Sequence, residues 1–181
     1  MKIRSLAFNI YLLAALFLLG CKTPEERKEA AESKRQKKEL STIRLHLEAR
    51  GDTTGRAEMV PILRGAPIMV SVAKDSFLDE RDVLKATLAD SPDGFVIQLQ
   101  FDDHGTFVLD TVTASSKGKR IAIVSEFNER RWLAAPVILK RVTDGVWTFT
   151  PDATREESLR IIRGLNNVSA KLRKKGILSG L

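Results

Sequence analysis

The sequence predicts an α/β protein of the α+β type, in which a mixed sheet of about five to seven strands packs against two main helices. The apolar run 121–124 (IAIV) follows a Gly118-Lys119 turn and has no polar interruption, which is typical of a strand buried on both faces. Helical patterns lie on each side of this run in the chain. Shorter segments that alternate apolar and polar residues, as half-buried strands do, surround them.

The first 21 residues are typical of an exported, lipid-modified protein. Lys2 and Arg4 form a positive n-region, and residues 6–19 form an apolar h-region. That region is shorter than the ~20 apolar residues that span a membrane. It ends in LLGC, which resembles the lipobox of bacterial lipoproteins. We therefore expect cleavage between Gly20 and Cys21 and acylation of the Cys21 thiol, which would hold the protein on a membrane without spanning it. The alternatives are an ordinary signal peptide with a chance cysteine and an uncleaved anchor.

Residues 21–40 are predicted to form a charged tether between the signal peptide (1–20) and a single domain (41–181). Between residues 22 and 39 its apolar residues are alanines, so this stretch cannot bury a hydrophobic face, and any helix there would rest on charge pairs. Removal of Lys2 and Arg4 with the signal peptide would lower the formal net charge from +7 to about +5, which favours mild attraction to anionic lipid or cell-wall polymers. No aromatic residue interleaves with the lysines of the tether, so we expect no nucleic-acid partner. Inner-membrane lipoproteins of some bacteria have Asp directly after the lipidated cysteine. This sequence has Lys22 at that position, which favours the outer membrane.

The domain is expected to begin with alternating strands and to end with a helix. Pro136 cannot donate a ladder hydrogen bond and indicates an edge or a bend. Turns are expected at 91–94 and at Asp144-Gly145. The predicted strands cover 43–47, 67–72, 83–89, 95–101, 121–124, 131–135, 137–142 and 146–149.

Two helices carry recognisable boundary signals. Asp102 or Asp103 can cap a helix that runs to about residue 115. Thr154 and Glu157 form a capping box for the last helix, and Gly176 is the expected stop. The last turns carry cations that suit the helix dipole and form a candidate surface for anionic groups. These cations are Lys171, Arg173, Lys174 and Lys175.

Catalytic groups are scarce, so we expect neither an enzyme nor a cofactor. His46 and His104 are the two histidines, and the alternation in 43–47 directs His46 outward, to the surface or its rim. Asp102, Asp103 and His104 are consecutive and cannot easily converge on one ion, so helix capping explains them better than a metal site. The serines lack a triad spacing, and no phosphate-binding loop is present. A hydrolase or metal enzyme is the least favoured hypothesis.

Two other motifs have simple structural explanations. Trp132 and Trp147 could form a face that stacks on carbohydrate or peptide, but core or rim positions are favoured. The triplet RGD at 50–52 matches a cell-adhesion motif, yet three residues recur by chance and a loop needs glycine there anyway.

The predicted strands, turns and helices between residues 82 and 165 follow a recognisable order. The alternating segment 83–89 precedes the strand FVIQLQF and a helix that holds Phe107 and Thr111. Gly118-Lys119 then precedes IAIV, followed by Ala135-Pro136-Val137, a short strand, the turn TPDATREE and the helix LRIIRGL. This order resembles the head subdomain of the first periplasmic domain of SecD, the accessory subunit of the bacterial protein-export translocase.

The resemblance implies a shared fold and a surface that contacts polypeptides. It does not imply a translocation motor, because SecD proteins continue into membrane-spanning helices whose charged residues couple export to the proton gradient. Thr150-Pro151 also replaces the glycine that SecD proteins usually have before the last helix.

Two functions follow as hypotheses. The favoured one is a non-catalytic envelope lipoprotein that binds a protein or peptide partner by strand addition along 131–142. Its candidate surface consists of Arg131, Trp132, Pro136 and Lys140. The alternative is a structural lipoprotein whose basic carboxy-terminal helix contacts anionic cell-wall or lipid groups.

Overall fold

A computed structural model describes residues 23–49, 55–127 and 129–179. The chain divides into two compact units, Met1–Arg35 and Gln36–Leu181. Among the described residues, no helix is long and apolar enough to cross a membrane. The elements in chain order are α1 Pro24–Gln36, β1 Thr42–Leu47, β2 Ala57–Ile62, β3 Ile68–Ala73, β4 Leu78–Asp79, β5 Val83–Ser91, β6 Gly94–Phe101, α2 Asp103–Ser115, β7 Ile121–Phe127, β8 Glu129–Ala134, β9 Val146–Phe149 and α3 Arg155–Ser179.

Helix α1 occupies most of the predicted tether. A capping box begins it: the Glu26 amide donates to Thr23 Oγ1 at 3.3 Å, and the Thr23 amide donates to Glu26 Oε2 at 3.0 Å. Acidic residues lie in its first turn and basic residues in its last, the favourable arrangement for the helix dipole. None of its residues is buried, as expected of a segment whose apolar residues are alanines.

The α+β class is confirmed, but the strands form three antiparallel sheets where one mixed sheet was expected. The described strands pair in the orders β4-β1-β7-β8, β2-β3 and β5-β6-β9. Every pairing is antiparallel. Short connections such as the turn at 92–93 join strands as hairpins, whereas a parallel pair needs a long crossover. Strand β2 was not expected from the sequence.

Strand β7 is buried on both faces, as predicted. Ile121 and Ile123 point into the main core, which also contains Leu165 of α3. Ala122, on the opposite face, joins a second core with Val60 of the β2–β3 hairpin. β7 therefore separates α3 from the hairpin, and this position requires an uninterrupted apolar run.

Two helices cover the main core. Helix α2 begins at the predicted cap, where Asp102 Oδ1 accepts from the Gly105 amide at 2.8 Å, and it buries Leu109. Helix α3 begins at the predicted capping box, where the Thr154 amide donates to Glu157 Oε2 at 3.0 Å. The expected stop at Gly176 is wrong, since α3 continues to Ser179. Glycine costs a helix about 1 kcal/mol relative to alanine but does not force it to end.

Candidate functional site

Strand β9 has an open edge. Within the described ranges it pairs with β6 alone. The Phe101 amide donates to the Gly145 carbonyl at 2.9 Å, so the alternation of an antiparallel ladder turns the backbone groups of Val146 and Thr148 away from β6. The Val146 amide donates to Asp144 Oδ1 at 3.1 Å. The Val146 carbonyl and both backbone groups of Thr148 remain at the open edge.

The turn that leads into β9 requires glycine. Gly145 has a φ of 67°, in the left-handed region that side chains disfavour. A Cβ at this position would lie 2.0 Å from Thr106 Oγ1 of α2. The predicted Asp144-Gly145 turn is thus confirmed, and it sets the start of β9 against α2.

A cavity of about 550 Å³ lies between β9 and the segment 137–144, within the ~300–1,000 Å³ range of ligand clefts. Leu139 borders it with 76% of its surface exposed. Lys140 is exposed beside it and has no ion pair in the described part of the chain. Trp147 lies in the core below, as the core interpretation predicted, and its indole Nε1 has no protein partner among described atoms. The open edge therefore adjoins a cavity with both polar and apolar lining, beside the exposed Leu139 and the cation of Lys140.

The segment 137–142 is irregular, and the strand predicted there is wrong. Isolated hydrogen bonds hold its backbone in place. The Ile138 amide donates to the Lys119 carbonyl at 2.8 Å, and the Val142 amide donates to Thr113 Oγ1 at 2.9 Å. The Arg141 guanidinium also pairs with the Asp110 carboxylate on α2. Together with an isolated antiparallel bridge between Val137 and Arg120, these contacts fix the segment beside β9 without forming a strand ladder.

Helix α3 covers the opposite edge of the β5-β6-β9 sheet at Leu84 and Ala86. Asn166 Oδ1 accepts from the Ala86 amide at 2.8 Å, and Asn166 Nδ2 donates to the Ala86 carbonyl at 2.9 Å. Arg173 donates to the Leu84 carbonyl at 2.8 Å. Side chains of α3 thus occupy backbone groups of β5 that a further strand would need.

The structure separates the four residues predicted to form a partner surface. Lys140 lies beside the cavity at β9. Pro136 accepts a hydrogen bond from the Ile121 amide at 3.0 Å through its carbonyl. Trp132 packs against the core of the β2–β3 hairpin, and Arg131 binds an acidic side chain of α3. Their joint role as a partner surface stays a prediction.

Strand β8 has a partly closed outer edge. The Asp152 amide donates to the Leu133 carbonyl at 2.7 Å. Arg131 donates to the Asp152 carbonyl and to Glu157 Oε1, both at 3.2 Å. The Thr154 amide and the Arg131 guanidinium lower the pKa of Glu157 to about 2. This edge therefore offers fewer free groups to a partner strand than the edge of β9.

His46 is buried, and the prediction that it faces outward is wrong. It is 3% exposed because the β2–β3 hairpin covers the outer face of β1. Its Nδ1 lies 2.9 Å from the Ala73 carbonyl, which can only accept, so Nδ1 carries the proton. Its ring meets Trp132 edge-on at a centroid distance of 5.3 Å. Burial lowers the pKa of His46 and favours the neutral imidazole.

The acidic cluster at the start of α2 is a helix cap, as predicted. His104 Nδ1 lies 2.9 Å from Asp82 Oδ1, a contact that the sequence gave no reason to expect because Asp82 lies 22 residues earlier. Ligand atoms of Asp82, Asp102 and His104 lie within 4.8 Å of one another. The positive end of the helix dipole disfavours a cation there, and Asp102 is already used as a cap.

The remaining predicted sites lie in the last helix, at the amino terminus and at residues 50–52. The four cations Lys171, Arg173, Lys174 and Lys175 are exposed. The proposed lipid site at Gly20 and Cys21 and the triplet at 50–52 lie outside the described residues, so lipid attachment stays a prediction.

The comparisons with known proteins concern the fold. No protein-family model matches the sequence, and no curated protein matches it. A solved structure of SecDF, described as a membrane component that enhances protein export, is 17% identical with a TM-score of 0.53 over 82% of this chain and 70% of that chain. A second, of SecDF in a super-membrane-facing form, is also 17% identical with a TM-score of 0.53, over 81% of this chain and 21% of that chain. The resemblance predicted from residues 82–165 is confirmed at the level of fold: the domain is SecD-like.

Proposed function

We propose that the chain is a non-catalytic, lipid-anchored protein of the bacterial cell envelope whose SecD-like domain binds an extended polypeptide along β9. The observation that carries this proposal is the open edge at Thr148 beside a cavity of about 550 Å³. Main-chain hydrogen bonds to such an edge supply affinity, and neighbouring pockets select side chains. Enhancement of protein export is described for SecDF, and the shared fold supports a polypeptide as the ligand class here.

The anchor is proposed from the sequence of the amino terminus. An apolar segment that ends in LLGC supports cleavage before Cys21 and acylation of its thiol. The mass of the chain purified from membranes tests this: we expect a start at Cys21 with added diacylglycerol and fatty acid. A Cys21→Ser variant should keep its leader and carry no lipid. An unmodified Cys21 in the parent chain would refute the anchor without affecting the polypeptide site.

Photocrosslinking in cells tests the polypeptide site. A photoreactive residue at Leu139 or Thr148 would lie beside the open edge, whereas one at Leu84 would lie at the edge that α3 closes. We expect positions 139 and 148 to capture polypeptides in an extended state, with little capture from position 84. Equal capture from all three positions would contradict the proposed edge.

A matched pair of variants isolates the backbone hydrogen bond. Thr148→Pro removes the outward amide while leaving the ladder to β6 intact, since edge strands tolerate proline where the amide faces solvent. Thr148→Ala keeps that amide and changes only the side chain. We expect Thr148→Pro to abolish capture from Leu139 and Thr148→Ala to retain it, with both variants folded by circular dichroism. Loss in both variants would assign the contact to the threonine side chain instead.

A second candidate function is contact with anionic cell-wall or lipid groups through the end of α3. The observation that favours it is charge: no acidic residue follows Glu157, and the four cations near the end of the helix are exposed. Replacing Lys171, Lys174 and Lys175 by glutamine, while keeping Arg173 because it donates to the Leu84 carbonyl, should then abolish cell-wall pull-down and leave folding intact. Unchanged pull-down would exclude this function.

A further inference from the structure

His46 is a buried titratable residue that the proposed polypeptide site does not use. The residue is 3% exposed, and its Nδ1 donates to the Ala73 carbonyl at 2.9 Å. The other ring nitrogen, Nε2, is fully buried and has no hydrogen-bond partner among the described atoms. Nε2 is therefore the atom that would take up a proton, at a position without an acceptor and without contact with bulk water.

The charged groups nearest the imidazole do not stabilise a positive charge on it. Arg44 of β1 and Arg130 of β8 disfavour protonation of the ring, whereas Glu58 of β2 favours it. The Glu58 carboxylate lies 3.9 Å from the Arg130 guanidinium, which offsets the negative charge of Glu58. Strand β3, which supplies the Ala73 carbonyl, contains no charged residue. Two cations and one partly neutralised acid thus surround the ring.

The more distant acidic groups are already paired or balanced. Glu48, two residues after His46, accepts from the Arg120 amide at 2.8 Å. A cavity of about 550 Å³ that His46 borders brings in further charges from β4 and from the loop after β3. These additional charged residues are Lys74, Asp75 and Asp79, and Asp79 forms an ion pair with Arg81 at 2.6 Å. The closed structure therefore favours the neutral imidazole.

The β2–β3 hairpin that covers His46 is attached separately from the main core. Its inward side chains pack with Ala122 of β7 in a second core, and the two cores share no residue. These side chains are Val60, Ile62, Val70 and Val72. Among the described strands β2 and β3 pair with each other, and one isolated bridge joins Val72 to Glu48. The Ala49 amide also donates to the Ser71 carbonyl at 2.9 Å. Units of this kind open locally without global unfolding.

We propose that protonation of His46 opens the β2–β3 hairpin, which thereby acts as a pH-sensitive flap over the outer face of β1. Opening brings Nε2 into contact with water, which supplies the hydrogen-bond acceptor that the closed form lacks. It leaves the main core in place and exposes the apolar second core. The open edge of β9 belongs to another sheet, so this device is independent of the proposed polypeptide site.

Proton linkage gives the size and direction of the effect. In the open form the imidazole titrates near its ordinary pKa of 6.5, whereas burial lowers its pKa in the closed form. The open form is therefore least populated at neutral pH, and its population rises as the pH falls below 6.5. A closed form that stays neutral gives the upper limit, a ~30-fold rise in the ratio of open to closed form from about pH 7.5 to about pH 5.

Amide hydrogen exchange of the full chain in detergent tests the inference, with each rate divided by the intrinsic rate at that pH. We expect the Ala49 amide and those of residues 57–73 to lose protection by ~10–30-fold between about pH 7.5 and about pH 5. A released hairpin also loses its internal ladder, because an isolated hairpin is marginally stable in water. The amides of β6 should keep their protection. Glu157, with a pKa of about 2, titrates below this window.

Two histidine variants assign the effect to one side chain. His46→Gln removes the titrating nitrogen and keeps an amide that can donate to the Ala73 carbonyl, so its hairpin should stay protected at both pH values. His104→Gln changes the other histidine of the chain and is the matched control, which should behave like the parent. Equal loss of hairpin protection in His46→Gln and the parent would overturn the inference.

Nuclear magnetic resonance of the His46 ring in the parent chain provides a measurement that needs no variant. Protonation of the ring and loss of hairpin protection should have the same pH midpoint. A protonated His46 beneath a protected hairpin would overturn the inference. Hairpin protection that is equal at both pH values, or that falls together with protection of β6, would overturn it as well.

Discussion

Asn166 provides a quantitative test of how α3 closes the edge of β5. Its side chain makes two hydrogen bonds with the backbone of Ala86, at 2.8 and 2.9 Å. Asn166→Ala removes both and leaves a partly buried amide and carbonyl unpaired. An unsatisfied group costs roughly 1–3 kcal/mol, and partial exposure places these two near the lower limit. The two unpaired groups therefore lower the free energy of unfolding by about 2 kcal/mol.

Helix propensity acts in the opposite direction. Alanine is better than asparagine in a helix by about 0.5 kcal/mol. The net destabilisation should then be about 1.5 kcal/mol. For a protein of this size each kcal/mol lowers the unfolding midpoint by about 2–4 °C, so the expected fall is about 3–6 °C.

Urea and thermal unfolding followed by circular dichroism measure this change. Asn166→Asp is the matched variant, since its carboxylate still accepts from the Ala86 amide but can no longer donate to the Ala86 carbonyl. Hydrogen exchange should show faster exchange of the Ala86 amide in Asn166→Ala than in Asn166→Asp. An Asn166→Ala protein whose free energy of unfolding lies within about 0.5 kcal/mol of the parent's, with an equally protected Ala86 amide, would refute the reasoning.

Three further predictions concern packing and pH. Gly164→Ala should destabilise the domain by about 1–2 kcal/mol despite better helix propensity, because its Cβ would lie 2.8 Å from the Ser41 nitrogen; denaturant unfolding that shows a gain in stability would contradict this. The pKa of Glu157 is lowered from 4.5 to about 2, so its contribution is present above pH 4.5 and is lost as the pH falls toward 2. Glu157→Gln should make the free energy of unfolding depend less on pH in that window, as measured by acid unfolding. An unchanged pH dependence would show that the contacts of Glu157 with Arg131 and Thr154 are not its source. The pKa of His46 is lowered below 6.5, so the unfolded chain takes up a proton more readily and stability falls as the pH drops below 6.5. His46→Gln should remove this fall, and a persistent fall would show that another group titrates.

The sequence was most informative where local chemistry and tertiary structure agree. The apolar run of β7 predicted a strand buried on both faces, and the fold places it between α3 and the hairpin. The caps at Asp102 and Thr154 set the starts of two helices because their hydrogen bonds lie within one turn. Such signals need no knowledge of distant residues.

The errors arose where distant elements decide the outcome. His46 alternates outward from β1, but the hairpin from residues 57–73 covers that face. Strand β2 was not predicted; it contains Pro61, a residue that disfavours central strands, and pairs only with β3 among the described strands. The segment 137–142 has strand-like residues, yet single contacts with Lys119 and Thr113 take its backbone groups.

The candidate site could be predicted only in part for the same reason. Lys140 was predicted to belong to a partner surface along residues 131–142, and the structure places it beside the cavity at the open edge of β9. Which edge of a sheet is free depends on what covers the other edges. That depends here on Asn166 and Arg173 of α3, far from β5 in the chain.

Amide hydrogen exchange at Thr148 tests the central claim most directly. The full chain in detergent is mixed with a permanently unfolded secretory polypeptide, and exchange is measured at Thr148 and at Ala86. Binding by strand addition predicts slower exchange at Thr148, whose amide faces the open edge, and no change at Ala86, whose amide already donates to Asn166. Unchanged exchange at Thr148 while the polypeptide is bound would contradict the account.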